Sequence, residues 1–171
     1  MPIDTISWQG DHVRMIDQTR LPNERVDIEI HTVPEMVEAI RMLRIRGAPA
    51  IGIAAAMGLV AALHPHRDDE EGFRARLEEY ADELTAARPT AVNLSWAVER
   101  MKEVARGHPD MATAALWERL EQEALAIFEE DRRMCRRIGE AARGVIRERA
   151  GILTHCNAGG LATSGYGTAL A

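Results

Sequence analysis

The 171 residues are enough for one well-filled core. With 46% hydrophobic and 28% charged residues this is an ordinary globular composition, which excludes a disordered chain. The formal net charge of −6 argues against a nucleic-acid backbone as partner, because such footprints are basic.

The first ten residues hold Asp4, Trp8 and Gln9 and no apolar core of a secretory signal. Ile45 to Leu63 comes nearest to a membrane span, but Arg46, Pro49 and glycines interrupt it. It reads as a buried helix, and no membrane partner is expected. Two cysteines without a secretory signal imply reduced thiols in a cytoplasm.

In chain order, Thr5 to Trp8, Val13 to Gln18 and Arg25 to His31 read as three short strands. In the third, Val26, Ile28 and Ile30 alternate with Asp27, Glu29 and His31. Turns at Gly10-Asp11 and at 21–24 make them an antiparallel meander. Thr32-Val33-Pro34-Glu35 is a capping box, opening a helix with Met36, Ile40 and Leu43 on one stripe and Gly47 at its end. Pro49 restarts the chain, and Ala50 to Leu63 is apolar nearly all round, as a central helix must be.

Glu70 to Ala86 carries Phe73, Leu77, Tyr80 and Leu84 on one face; Ala91 to Arg106 carries Leu94, Val98, Met101 and Val104. Asp110 is placed to cap a long helix bearing Leu116, Leu120, Ala124, Ile127 and Phe128, which continues through Met134, Ile138 and Val145 and is expected to bend or split near Gly139.

From Gly151 onward the pattern changes. Ile152, Leu153 and Thr154 suit a buried parallel strand, 157–160 a glycine turn, and the small residues after Leu161 a closely packed helix. That is the opening of an α/β unit, whose ligands bind outside the carboxyl ends of the strands. The expected fold class is therefore α/β. It comprises an α+β unit of small antiparallel sheet and helices over residues 1–130, a connecting helix over 131–149, and the first strand–turn–helix of a Rossmann-like domain over 150–171. A strand beginning so near Ala171 has no partners after it, so the sequence reads as the front part of a longer protein.

Three places carry candidate chemistry. Cys156 would sit at a strand end beside glycine N–H groups, where a thiol becomes reactive; the alternative is a small buried apolar residue. His155, pointing to the opposite face of the strand, is not taken as its base. Arg46-Gly47-Ala48-Pro49 joins an arginine to a helix start and suits a phosphate, or else simple capping. Arg88-Pro89-Thr90 repeats that arrangement, and alone it reads as an interhelical turn. No metal site is expected: Cys135 and Cys156 are not a close ligand pair, and His64 with His66 beside acidic residues reads as a solvated loop. Neither a Walker loop nor a G-x-G-x-x-G fingerprint occurs.

The stretches 17–22 (Asp-Gln-Thr-Arg-Leu-Pro), 46–56, 88–94 and 154–159 together resemble the methylthioribose-1-phosphate isomerases of methionine salvage. The same family fold is shared with ribose-1,5-bisphosphate and 5-deoxyribose-1-phosphate isomerases and with non-catalytic regulatory subunits of the translation-initiation exchange factor. The resemblance implies a cytoplasmic homodimer that turns 5-methylthioribose 1-phosphate into 5-methylthioribulose 1-phosphate without metal or organic cofactor. It implies Cys156 as the active-site cysteine, substrate binding by Arg46, Gly47, Ala48 and Arg88, and a general acid/base aspartate located beyond this sequence. On that reading the 171 residues alone would not turn over substrate. Gly160 and Ser164 stand where small residues are expected, whereas Met57 replaces an expected aromatic.

Overall fold

The computed structural model describes residues 4–170. Ala171, the last residue of the expected 150–171 unit, lies outside them.

The meander forms as read, with shorter strands: β1 (Ile6–Trp8), β2 (Val13–Ile16) and β3 (Asp27–Ile30), antiparallel in the order β1-β2-β3. Val13 pairs with Ile30 and Met15 with Ile28, so the apolar set lies on the covered face.

Thr32 caps α1 (Val33–Arg41). Its side chain accepts from the Glu35 N–H at 3.4 Å, and the Glu35 carboxylate accepts from the N–H groups of Thr32 and His31 at 2.9 and 2.8 Å. This helix ends earlier than its apolar stripe suggested. Arg44 N–H reaches Ala39 C=O at 2.9 Å and Leu43 N–H reaches Ile40 C=O at 3.3 Å. That is a Schellman closure with Leu43 in the left-handed region at φ 60°. Leu43 is therefore an exposed turn residue and no part of the stripe.

The central helix is α2 (Ala48–Leu63), in which every residue from Ala50 to Leu63 is buried. By length and composition Ala48–His66 would pass for a membrane span, more nearly than the sequence reading allowed. However, 78% of its most apolar stretch is buried inside the fold, which makes it a core helix. Around it stand α1, α3 (Phe73–Ala87), α4 (Val92–Gly107), α5 (Thr113–Ala142) and the covered face of the sheet. At Gly52 the backbone of Asn93 comes so near that any Cβ would collide with its carbonyl, so the start of α4 lies directly on α2. Trp117 of α5 donates from Nε1 to Val60 C=O at 3.0 Å. Arg100 of α4 grips Glu123 and Glu130 of α5 at 2.6–2.8 Å.

Two expectations for α5 fail. Its N-cap is Ala112 and not Asp110, and the helix runs through Gly139 unbroken. The expected strand and helix after Gly151 do not form either. Residues 151–157 are irregular, exposed and unpaired, with Leu153 98% exposed, and a single 3-10 turn, Gly160–Ala162, stands where the helix was expected. The cause is the one that governs parallel strands generally: no described strand lies alongside to satisfy the backbone.

Candidate active site

Four segments converge on the first turn of α2. The first is the loop leaving α1, held by Arg44. Its guanidinium is bidentate to Glu38 at 2.8 Å and reaches the buried Asp17 carboxylate at 2.5 Å. Burial pushes the Asp17 carboxyl up, but hydrogen bonds from Thr19 and Arg44 together outweigh it and hold the group below its ordinary value. The Arg44 guanidinium likewise holds Glu38 down. Beyond this clamp, Arg46 Nε donates to Leu43 C=O at 3.1 Å, which fixes the base of an otherwise exposed side chain.

Gly47 is the N-cap of α2 at φ 92°, a conformation costly for any residue with a Cβ, and a Cβ there would run into Ala162. No side chain caps this helix. Pro49 has no N–H to satisfy, and the first intrahelical bond is from Ile51 N–H to Gly47 C=O at 3.0 Å. The N–H groups of Ala48 and Ala50 are thus left by the described residues for an outside acceptor, at the positive end of a sixteen-residue helix.

The second segment is the glycine-rich loop 158–167, pinned to the body at three points. Thr5 donates its hydroxyl to Gly160 C=O at 2.9 Å, Gln18 donates Nε2 to Leu161 C=O at 2.8 Å, and Asp131 of α5 accepts Ser164 N–H at 2.7 Å. Cys135 lies beside Asp131 beneath this loop, where burial and then that carboxylate push its thiol up and keep it protonated. The third segment is the corner 17–22, an Asx turn in which the Asp17 carboxylate accepts from Thr19 N–H and hydroxyl at 3.0 and 2.6 Å. It ends in a cis peptide bond between Leu21 and Pro22.

Between these segments opens a hollow of about 610 Å³, bordered by Gln18, Leu21, Pro22, Arg46, Cys156 and the loop from Asn157 to Ala162. Arg46 and Cys156, 110 positions apart in sequence, share it. The fourth segment brings Arg88, the C-cap of α3, to the turn before α4, but Arg88 does not border the hollow. Cys156 also differs from expectation. It sits on an exposed turn at φ 63°, four residues before a 3-10 turn, and not at a helix N-terminus. Among the described residues, no three His, Cys, Asp or Glu side chains are grouped so as to hold a metal ion.

A model of the initiation factor 2 subunit family matches residues 44–166. The chain belongs to that family. The matched span opens on Arg44, contains the Arg46 loop and Arg88, and closes on the glycine-rich loop, so what the family shares includes most of the hollow's wall. Curated members include a methylthioribose-1-phosphate isomerase of Geotalea uraniireducens, 52% identical over 99% of this chain and 49% of its own length. A 5-deoxyribose 1-phosphate isomerase of Moorella thermoacetica is 51% identical over the same shares. The chain spans about half the length of the curated relatives it matches. Among solved structures, 5-methylthioribose 1-phosphate isomerase from Pyrococcus horikoshii superposes with a TM-score of 0.88 at 36% identity, over 99% of this chain and 48% of that one. The initiation factor eIF-2B subunit delta from A. fulgidus gives 0.85 at 37%, over 98% and 49%. The likeness read from the four motifs thus holds for the family and for its fold.

Family membership does not by itself explain Gln18, Leu21 and Pro22. The sequence reading used their stretch only as a mark of resemblance, yet they form one wall of the hollow. The sequence offered only a turn-forming hexapeptide ending in proline; the burial of Asp17 and its pairing with Arg44 emerge in the fold.

Proposed function

We propose that the chain carries the phosphate- and sugar-binding part of an aldose–ketose isomerase acting on 5-methylthioribose 1-phosphate, in the methionine salvage route and in the cytoplasm. The observation that carries this reading is the hollow shared by Arg46 and Cys156 beside the uncapped start of α2. A phosphate monoester needs N–H donors and a guanidinium, and the N–H groups of Ala48 and Ala50 with Arg46 supply both. At Gly47 the loop's Ala162 lies directly against the helix start, which sets that start next to the hollow. Moving a hydrogen between C2 and C1 of the sugar needs a proton carrier near those carbons. Cys156 is the one the reading assigns, with a second carrier, an aspartate, implied by family resemblance. Arg88, which does not border the hollow, is assigned as a binding residue by resemblance alone. Names borne by relatives at about half identity support the substrate. The homodimer and the absence of any cofactor rest on resemblance alone.

Titration calorimetry tests it. The chain should bind 5-methylthioribose 1-phosphate saturably and 5-methylthioribose far more weakly, and Arg46→Ala should weaken phosphate-ester binding roughly tenfold or more. Equal binding of the two sugars, or none of either, would remove the reading. A second reading is favoured by the fit to the A. fulgidus subunit: a non-catalytic exchange-factor-like subunit. It requires no sugar-phosphate binding at all, so the same titration separates the two.

A further inference from the structure

Gln18 is the joint between the two halves of the hollow's wall. Its main-chain N–H donates to Arg44 C=O at 2.9 Å, which ties it to the loop that carries Arg46. Its side-chain Nε2 donates to Leu161 C=O at 2.8 Å, which ties it to the glycine-rich loop that follows Cys156. A main-chain carbonyl can only accept, so the amide nitrogen must face Leu161 and the amide oxygen must point away. The residue is only 7% exposed. Among the described residues nothing donates to Oε1, and this oxygen is not among the sealed unpartnered atoms, which are Arg76 Nε, Thr113 Oγ1 and Ser164 Oγ. The open space that Gln18 borders is the hollow. An amide acceptor held at two other points, open to a cavity and without a protein partner is satisfied by water in the free chain, and it is already aimed for a ligand donor that displaces that water.

We infer that Gln18 is a further substrate-contacting residue, whose Oε1 accepts a hydrogen bond from a ring hydroxyl of the sugar, at C2 or C3, while Arg46 and the α2 start hold the phosphate. This rests on the sugar-phosphate reading above. An aldose phosphate offers hydroxyl donors, whereas a bare phosphate dianion offers none, so the contact contributes to sugar recognition and not to phosphate affinity. The rigid hold on Nε2 makes the contact directional, and a hydroxyl removed from the sugar leaves Oε1 without a ligand donor.

The test is a ligand–protein cycle on the whole chain, read by calorimetry or by amide shifts. The probes are ribose 1-phosphate, its 2-deoxy and 3-deoxy analogues, and inorganic phosphate. Wild type should prefer ribose 1-phosphate over one deoxy analogue by about five- to tenfold, the worth of one hydrogen bond. Gln18→Met should erase that ratio and leave inorganic phosphate binding unchanged. Gln18→Glu, which keeps an acceptor oxygen but sets a negative charge beside an anionic ligand, should weaken every ligand and yet retain the ratio. A merely structural joint would instead lower phosphate and sugar-phosphate binding together in both variants, with the ratio intact in Gln18→Met. That result, or a wild type indifferent to both hydroxyls, overturns the inference while leaving the sugar-phosphate reading in place. A wild type that binds no sugar phosphate overturns both.

Discussion

The start of α2 and the segment 151–157 are both apolar stretches next in sequence to residues of the hollow, Arg46 and Ala158, and they end in opposite states. Ile51 and Ile53 are 2% and 1% exposed, while Ile152 and Leu153 are 56% and 98% exposed. Hydrophobicity does not separate them. The difference lies in what each meets. The helix satisfies its own backbone and finds four helices and a sheet around it. The segment 151–157, to form a strand, needs a neighbouring strand for its N–H and C=O groups, and among the described residues it has none. Order returns at Ala158, where side chains of the body begin to hold the loop. Cys156 therefore belongs to the unsupported side of this divide and Arg46 to the supported one.

That contrast breaks most visibly at the centre. Leu59→Ala removes a side chain with no exposed surface and should cost about 2–5 kcal/mol, seen as a lower urea midpoint at unchanged slope. An effect under 1 kcal/mol would mean that the centre is as loosely filled as the segment.

Next comes the clamp that supports the Arg46 loop. Asp17→Asn takes the charge from a nearly sealed carboxylate and should cost roughly 1.5–3 kcal/mol. The folded-state pKa of Asp17 is depressed, so its contribution is fully present above the unfolded-state value and is lost as the pH falls through the folded one. Glu38 acts in the same direction. Thermal melts between about pH 5 and pH 2 should show stability falling with acid, and falling less steeply in Asp17→Asn. Identical slopes would show that the clamp is not what titrates.

The sequence made the supported half legible. The capping box at Thr32, the alternation in β3 and the all-round apolar α2 each carry a local reason for their structure, and each appeared with boundaries close to those read. The end of α1 did not, because a leucine takes the left-handed position where glycine usually signals a stop. Residues 151–157 misled for a different reason: a strand's existence depends on neighbours that no local pattern announces. Around the site, the junction of Arg46 with a helix start at Gly47 and Ala48 was legible from Arg-Gly-Ala-Pro, although of these three only Arg46 borders the hollow. Gln18 was not legible, since its partners Arg44 and Leu161 lie 26 and 143 positions away and only the fold brings them together.

Gly47→Ala probes the seam between the two regions. The added Cβ meets Ala162, and the backbone must leave φ 92° or bear the strain, for about 1–3 kcal/mol. The glycine-rich loop should then lift from α2. Amide exchange at 158–164 should quicken more than at Ile53 to Leu63, and sugar-phosphate binding should fall with it. Uniform quickening across both would place the loop and α2 in one cooperative unit and dissolve the distinction.

The smallest effect is the sharpest discriminator. Leu153→Ser alters a side chain that touches almost nothing, so stability should move by no more than about 0.5 kcal/mol despite the loss of a large apolar group. Amides from 151 to 157 should exchange at nearly the rate of an open chain. The same substitution in a buried parallel strand would cost several kcal/mol, because it would strand a hydroxyl among apolar side chains. A loss above about 1 kcal/mol would therefore show that the segment is packed in solution. Cys156 would then stand at the end of a formed strand, on the supported side with Arg46, and the reactivity argued from a glycine turn at a strand's carboxyl end would apply to it after all.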